Sequence, residues 1–521
     1  MSSRLRVRVL VLALLVFAPR VAHASPLEFV SPRDPLAAEL RVLELYDLPP
    51  DSGRFRLPHL NTWPLRRLEL MGDGSPFGTS NLVRSVVTER IERELQRDAI
   101  ASFVHERALR STPRLFQREW PGQERLEFSA GFEGAWDAED TGQEKVSRWR
   151  DGSGLHLRGS AQVDRWLLYS HLTVGHLENA DEFTDVLVSG TDVSLQTDES
   201  YIAYGAGTQW SLAMGRQRFA WGPGEEGSLL VSRTAAPLSA LHLHARVAAL
   251  RADFTSLNAT VDPGTGEQFA AHRLEWQPAG SVRLGVAEAA RYQSDGWQAV
   301  YVASVIPYSL AQRLQQQDGD STGEANRNNV LASFDVSWRP ADGTRVYGEF
   351  LVDDVSTDYA DKYAWQVGLD GAWTRGFTRL TWNTEYTWIS RYVYTSFYGR
   401  DYVAQSLPIG YPTGPDSRRL HARVTWDPRV DWQFIGLASR TWKGENDLDE
   451  PYVPGSPVPP VDELEGVPLV TDSFTGVMRW WPASGVDLSL SLGFQRVEGV
   501  AHVAGTVDRG AHAAIAFRVT R

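Results

Sequence analysis

The residues from Trp221 to Ser232, WGPGEEGSLLVS, set Gly222, Gly224 and Gly227 in the spacing G-x-G-x-x-G, a pattern able to wrap a nucleotide pyrophosphate in backbone N–H groups. That chemistry needs a strand before the glycines and a helix N-terminus after them. Here the following residues alternate and carry Pro237, Pro223 removes one N–H, and Glu225 and Glu226 bring negative charge where phosphate would lie. The stretch is read instead as a sharp turn after a strand, whose glycines let the chain fold towards a barrel lumen. Arg216 and Arg218 before it, with Arg233 after it, suit an anionic group such as a lipopolysaccharide phosphate or an acidic sugar, and suit a solvated rim equally well.

A second constellation occupies 390–417, where Tyr392, Tyr394, Tyr398 and Tyr402 stand among Arg391, Arg400 and Asp401. A pyranose offers an apolar C–H face to an aromatic ring while charged groups fix its hydroxyls, so this mixture fits a glycan. An aromatic girdle at the top of a barrel would use the same residues. Other chemistry finds little support. There is no G-x-S-x-G and no H-E-x-x-H, so no catalytic residue is assigned. His242 and His244 lie two apart without a visible third ligand, and no metal or cofactor is expected.

The elements that position these residues follow from the pattern of the whole chain. Arg4, Arg6 and Arg8 precede an apolar run from Val9 to Ala18 and small residues at Ala22 and Ala24, which predicts a secretory signal peptide over 1–24. With no cysteine in the chain, disulfides and thiolate metal sites are excluded. A net charge of -13 argues against a nucleic-acid partner. Residues 25–122 read as a small periplasmic helical domain: Asp34 as N-cap and Pro35 open a first helix with Leu36, Leu40 and Leu43 on one face. Ser80 caps a second, in which Val83, Val87, Ile91 and Leu95 recur every four residues.

Beyond Leu126 the period falls to two and stays there. From Phe377 to Ile389, Leu380, Trp382, Tyr386 and Trp388 share one face and Arg379, Thr381, Asn383 and Glu385 the other. Such runs reach the length a tilted membrane strand needs, about nine residues or more. A Trp followed by Pro and small residues recurs at 276–280, 338–343, 426–431 and 480–485, as short periplasmic turns with interfacial Trp would. Long loops are expected at 137–152, 179–198, 220–240, 306–329, 390–417 and 443–472. Strands are placed near 125, 153, 165, 199, 208, 241, 269, 281, 297, 330, 343, 363, 376, 418, 432, 473, 485 and 511. The fold class is all-β, a transmembrane antiparallel β-barrel of about 18 strands over 123–521, with sixteen or twenty left open because the turn at 276–280 breaks the up-down order between 255 and 330.

GRQRFAWGPGEEGSLLVS, from Gly215 to Ser232, resembles the Wzi capsule-assembly family, and LYDLPP, NTWPL, the Leu82–Ile100 segment and NNVLASFDVSWRP follow in the family's order. The chain ends AIAFRVTR, so Phe517 stands in for a terminal aromatic. The resemblance implies an eighteen-stranded outer-membrane barrel with a periplasmic helical bundle, acting as a lectin that holds capsular polysaccharide at the cell surface without catalysis. Its partners would be that polysaccharide, lipopolysaccharide and outer-membrane lipid, with the chain as a monomer. The alternative is a porin-like channel for a small solute, which lumen-facing Arg379, Asn383, Glu385, Arg423 and Gln495 would also permit.

Overall fold

The computed structural model describes residues 29–33, 35–45, 61–63, 65–66, 103, 116–120, 124–140, 145–150, 152–177, 186–206, 209–262, 264–302, 306–311, 328–354, 360–375 and 378–520. Eighteen antiparallel strands close into one barrel. They are β1 (Glu124–Asp140), β2 (Gly154–Val163), β3 (Trp166–His176), β4 (Val193–Ala206), β5 (Trp210–Gln217) and β6 (Leu238–Val247), then β7 (Ala252–Asp262), β8 (Glu267–Ala279), β9 (Val282–Gln293), β10 (Asn329–Ala341), β11 (Thr344–Asp354) and β12 (Lys362–Arg375). β13 (Thr378–Ile389), β14 (Ser417–Arg429), β15 (Trp432–Lys443), β16 (Leu469–Ala483), β17 (Val486–Glu498) and β18 (Val507–Thr520) complete the wall. Closure runs from β18 to β1, with Thr520 opposite Gly131 and Ala511 opposite Asp140.

Side chains alternate across this wall as the period of two requires. One row of exposed tryptophans, Trp166, Trp210, Trp276, Trp338, Trp373, Trp426 and Trp480, belts the outer face just inside the short-turn rim. The four Trp-x-Pro turns share a device. Each carries a register shift spanning the proline, at Trp276/Ala279, Trp338/Ala341, Trp426/Arg429 and Trp480/Ala483, because proline has no N–H to give the ladder.

One strand differs from expectation. No strand begins near 297; Ala299–Val302 is a helical turn, and the missing strand is β7. With β7 in place the turn at 276–280 returns to the short-turn rim and the up-down order is unbroken. The cause is local. The outward positions of β7 include Ser256, Asn258 and Thr260, so the apolar alternation of a lipid-facing strand is absent. Those positions are covered from outside, since Tyr301, Tyr308 and Ala311 of the following loop pack with Ala270, Ala290 and Tyr292 on the outer face. Tyr292 and Tyr301 stack at 4.4 Å, and Tyr308 meets His272 at 4.3 Å. A loop run that is apolar on all sides imitates a strand, and a strand roofed by a loop loses its stripe.

The N-terminal segment sits inside the barrel where it is described. Phe29 packs on inward-facing Leu167, Tyr169, Tyr201, Ala203 and Ala213. Helix α1 (Pro35–Leu45) opens at Pro35 as expected, and it ends at the short-turn rim, where the Gly343 N–H donates to the Leu45 carbonyl at 2.7 Å. Asp34, the Ser80-capped helix and the signal peptide fall outside the described residues.

Candidate functional site

The loop between β5 and β6 does not cross the mouth of the barrel but descends into it. Trp221 is fully buried; its backbone N–H donates to Val231 O at 2.8 Å, and Ala220–Trp221 pairs with Thr62–Trp63 of the N-terminal segment. Gly222 has φ +135, and a Cβ there would stand 2.7 Å from Glu349 Oε2. A Cβ on Gly224 would meet Gly227 O at 2.0 Å and Gln366 Oε1 at 2.4 Å, so the glycines are demanded by close packing.

Backbone N–H groups of this stretch do hold carboxyl groups, but the barrel's own. Leu229 N–H donates to Glu349 Oε2 at 3.0 Å, and Glu225 N–H to Glu385 Oε2 at 2.8 Å. Ser228 is buried beside them, and Gln366 Nε2 donates to Gly227 O at 3.1 Å. The two acidic residues that speak against phosphate are anchors. Glu225 meets Arg41 of α1 at 3.1 Å and Arg345 at 3.5 Å, while Glu226 meets His421 at 3.0 Å and Arg419 at 3.1 Å. Burial opposes the charged form of Glu225, yet Arg233, Arg41 and Arg345 outweigh it and hold the carboxyl at about 2.

The N-terminal segment is tied to the inner wall in the same way. Arg379 receives Glu39 on its two terminal nitrogens, at 2.6 and 3.0 Å, and gives Nε to Asp427 at 2.8 Å. Arg283 pairs with Glu44. Arg273 donates Nε to Thr62 at 2.7 Å and Nη2 to Asp335 at 3.1 Å. Asn383 and Glu385 join this network through Tyr347, so three of the five polar residues that suited an open channel are engaged. Arg423 lines a cavity of about 550 Å³ that remains beside α1 with Arg33, Arg233, Arg379, Arg479 and Arg518.

The loop from 390 to 416 lies over this plug and splits the expected glycan residues in two. Tyr394 and Tyr402 are wholly buried, stacked at 5.7 Å, and Tyr394 Oη donates to Leu229 O at 2.6 Å. They present no face to a glycan; burial pushes both hydroxyls well above the usual tyrosine range. Arg400 is also buried, donating to Asn328 Oδ1 at 3.3 Å and Gln293 Oε1 at 3.2 Å. Tyr398 is 54% exposed and edge-on to Phe397, itself 50% exposed. Tyr392 packs edge-on to Tyr452 at 5.6 Å, beside Arg391, which reaches Glu465 at 3.7 Å. The mouth thus presents Phe397 and Tyr398, with the half-buried Arg391 and Tyr392 in the same loop, whose buried floor includes Tyr394, Tyr402 and Tyr411.

Arg216 and Arg218 part company. The ladder runs through Gly215 without a bulge, leaving Arg216 half-buried opposite Ser200 and Ser239. Arg218 turns inward, donates to Ala235 O at 3.2 Å, and is drawn down to about 10 by burial and the neighbouring Arg33. His242 lies between Phe219 and Phe29, and His244 stands 4.0 Å from Asp253. A groove of about 480 Å³ beside Trp297, lined also by Thr260, Gln268 and Asp295, is an additional feature at the outer edge of the long-loop rim. The sequence reading missed it by taking Trp297 into a strand; the turn residues Ser294, Asp295 and Gly296 were the available signal.

Residues 127–509 match the family described as capsule assembly protein Wzi, most of the chain. The chain belongs to that family. Among solved structures it is similar to Wzi of Escherichia coli, described as an outer membrane protein involved in group 1 capsule assembly and a carbohydrate-binding β-barrel. The identity is 16% and the TM-score 0.60, over 94% of this chain and 98% of that one. It is more distantly similar to OccAB2 of Acinetobacter baumannii, with 9% identity and TM-score 0.45 over 76% of this chain and 98% of that one. The outer membrane channel DcaP of the same organism gives 10% identity and TM-score 0.37 over 78% and 99%. No curated protein matches the chain. As in the Wzi structure, whose fold it shares, the architecture is a barrel, here with its loops and N-terminal segment packed into the lumen.

Proposed function

We propose that this Wzi-family chain is an outer-membrane β-barrel that binds cell-surface, capsular polysaccharide and attaches it at the cell surface, with no catalytic role. Export by the signal peptide 1–24, a periplasmic-side unit within 25–122, a monomeric state, and lipopolysaccharide and lipid around the wall belong to the same reading. Family membership supports the ligand class. The observation that carries the site is the division of the 390–416 loop into a buried tyrosine floor and an exposed Phe397–Tyr398 pair beside Arg391 and Tyr392. Aromatic faces held rigidly lose little conformational freedom when a sugar stacks on them.

The test is binding of the detergent-folded protein to polysaccharide extracted from its host. A Phe397→Ala, Tyr398→Ala variant should bind at least about tenfold more weakly with an unchanged melting temperature, if each ring contributes on the order of 1 kcal/mol. Absence of binding by the wild type, or full binding by the variant, would refute the reading. The alternative, a small-solute channel, draws on the arginine-lined cavity of about 550 Å³. A steady single-channel conductance in a planar bilayer would favour it.

A further inference from the structure

The lumen face of β2, β3 and β4 carries a group that, among the described residues, neither the loops nor α1 use. His156 on β2 and His171 on β3 face inward, with ring centroids 5.5 Å apart. A nitrogen of each and a carboxylate oxygen of Asp198 lie within 4.8 Å of one another. Asp198 arrives there by a backbone irregularity. In the pairing of β4 with β3, Thr197 stands opposite Leu172 and Glu199 opposite His171, so Asp198 is the extra residue of a β-bulge. The bulge turns two consecutive carboxylates to the lumen side. Glu199 takes the Arg218 N–H at 3.4 Å, and Asp198 is aimed at the histidines, with His171 Nδ1 3.6 Å away.

The hydrogen bonds around the group set one of the ligands. Thr173 Oγ1 donates its single proton to Asp198 Oδ2 at 2.5 Å. It also contacts His156 Nδ1 at 2.9 Å, so that nitrogen must be the donor and His156 Nε2 carries the lone pair. Both Nε2 atoms, of His156 and of His171, are buried without a hydrogen-bond partner. Two imidazoles and one carboxylate, with a hydroxyl orienting both kinds of ligand from behind, form a donor set for borderline divalent transition ions. Nearby Arg158 and Arg518 repel a cation, while Glu133, 3.9 Å from His156, attracts one.

We propose that His156, His171 and Asp198 form a binding site for a divalent transition cation of the zinc class, bracing β2, β3 and β4 across the lumen wall. Three protein ligands leave a fourth position open to the lumen, where water or a carboxylate of a bound acidic sugar would complete the shell.

The probe is Zn²⁺ alone, titrated calorimetrically into tag-free, detergent-folded full-length protein stripped with chelator, with Co²⁺ absorption reporting the coordination. Wild type should take up a single equivalent and melt at a higher temperature with Zn²⁺ than without. Affinity should fall at least about tenfold in His171→Gln and Asp198→Asn, and by a similar factor in Thr173→Val, which removes only the orienting hydroxyl. His242→Ala should bind as wild type. Folding of each variant is checked by its heat-shifted gel mobility, and the conservative His171→Gln keeps the test open if a harsher change unfolds the barrel. No uptake by the wild type, or uptake and thermal shift unchanged in His171→Gln and Asp198→Asn, would overturn the site.

Discussion

Arg379 offers the sharpest test of how the lumen is filled. Its guanidinium is buried and fully committed, to Glu39 of α1 at 2.6 and 3.0 Å and to Asp427 of β14 at 2.8 Å, and it lies 4.3 Å over the Phe103 ring. Arg379→Met keeps much of the volume and removes the charge, leaving two carboxylates that faced it. Removing one partner of a buried ion pair costs roughly 3–5 kcal/mol. The low end applies here, because Glu39 borders the lumen cavity and water can reach it, while Asp427 keeps a hydrogen bond from Gln433 at 2.9 Å. A loss of about 3 kcal/mol is roughly a hundredfold in an opening equilibrium. The segment that opens should be α1, because the strand ladders around Arg379 do not depend on it. Hydrogen exchange read by mass spectrometry over 35–45 should therefore accelerate about a hundredfold, with peptides from β13 and β14 unchanged. Adding Glu39→Leu should recover part of the protection. Equal acceleration in helix and strands, or none in either, would refute the idea that this arginine bolts the helix to the wall.

Two further outcomes follow from the same packing. Burial opposes ionisation of Glu44 and Glu225, but Arg283 and Arg41 for the first, and Arg233, Arg41 and Arg345 for the second, hold both at about 2. A depressed carboxyl stabilises the fold above its unfolded value of 4.5 and loses that contribution as pH falls towards 2. Exchange protection of α1 should thus be flat from neutral pH to about 5 and decay below 4.5; decay that begins above 5 would contradict the assignment. Gly222→Ala forces a side chain into φ +135 and against Glu349 and Ser228, and should loosen 218–237 by about 1–3 kcal/mol in the same assay. Gly159→Ala, where a Cβ meets nothing within 4 Å, should leave protection unchanged.

The barrel is legible in the sequence because each strand faces two different solvents, and alternation in residue type records that directly. It fails at β7, where Tyr301 and Tyr308 replace lipid as the outer neighbour and Ser256 and Asn258 need not be apolar. The Trp-x-Pro turns are visible because proline's missing N–H forces a ladder break at a fixed place. The site is only half legible. Tyrosines at 392, 394, 398 and 402 look alike in sequence, and the loop's left-handed residues Tyr392 and Tyr394, at φ +70 and +73, destroy any periodicity that would sort buried from exposed. One signal for the buried set was present. Inner-wall alanines at 259, 271, 287, 289 and 364 are too small to fill a lumen, and their size implies that something else does.

That filling bears on why a binding barrel would spend buried charge on its interior. Arg273, Arg345 and Arg379 are each enclosed with carboxylates, an arrangement that adds little stability over an apolar core but is strict about geometry. The strictness falls on the loop 218–237, which is salted to α1 through Glu225 and to β14 through Glu226, and which in turn carries Tyr394 through the Leu229 carbonyl. The exposed Phe397–Tyr398 pair therefore rests on a column of directional contacts that reaches from α1, near the short-turn rim, to the mouth. If that column sets the height and tilt of the aromatic face, loosening it at Arg379 should weaken polysaccharide binding although no residue at the mouth has changed. If the face is held by its own loop alone, Arg379→Met will free α1 and leave binding as it was.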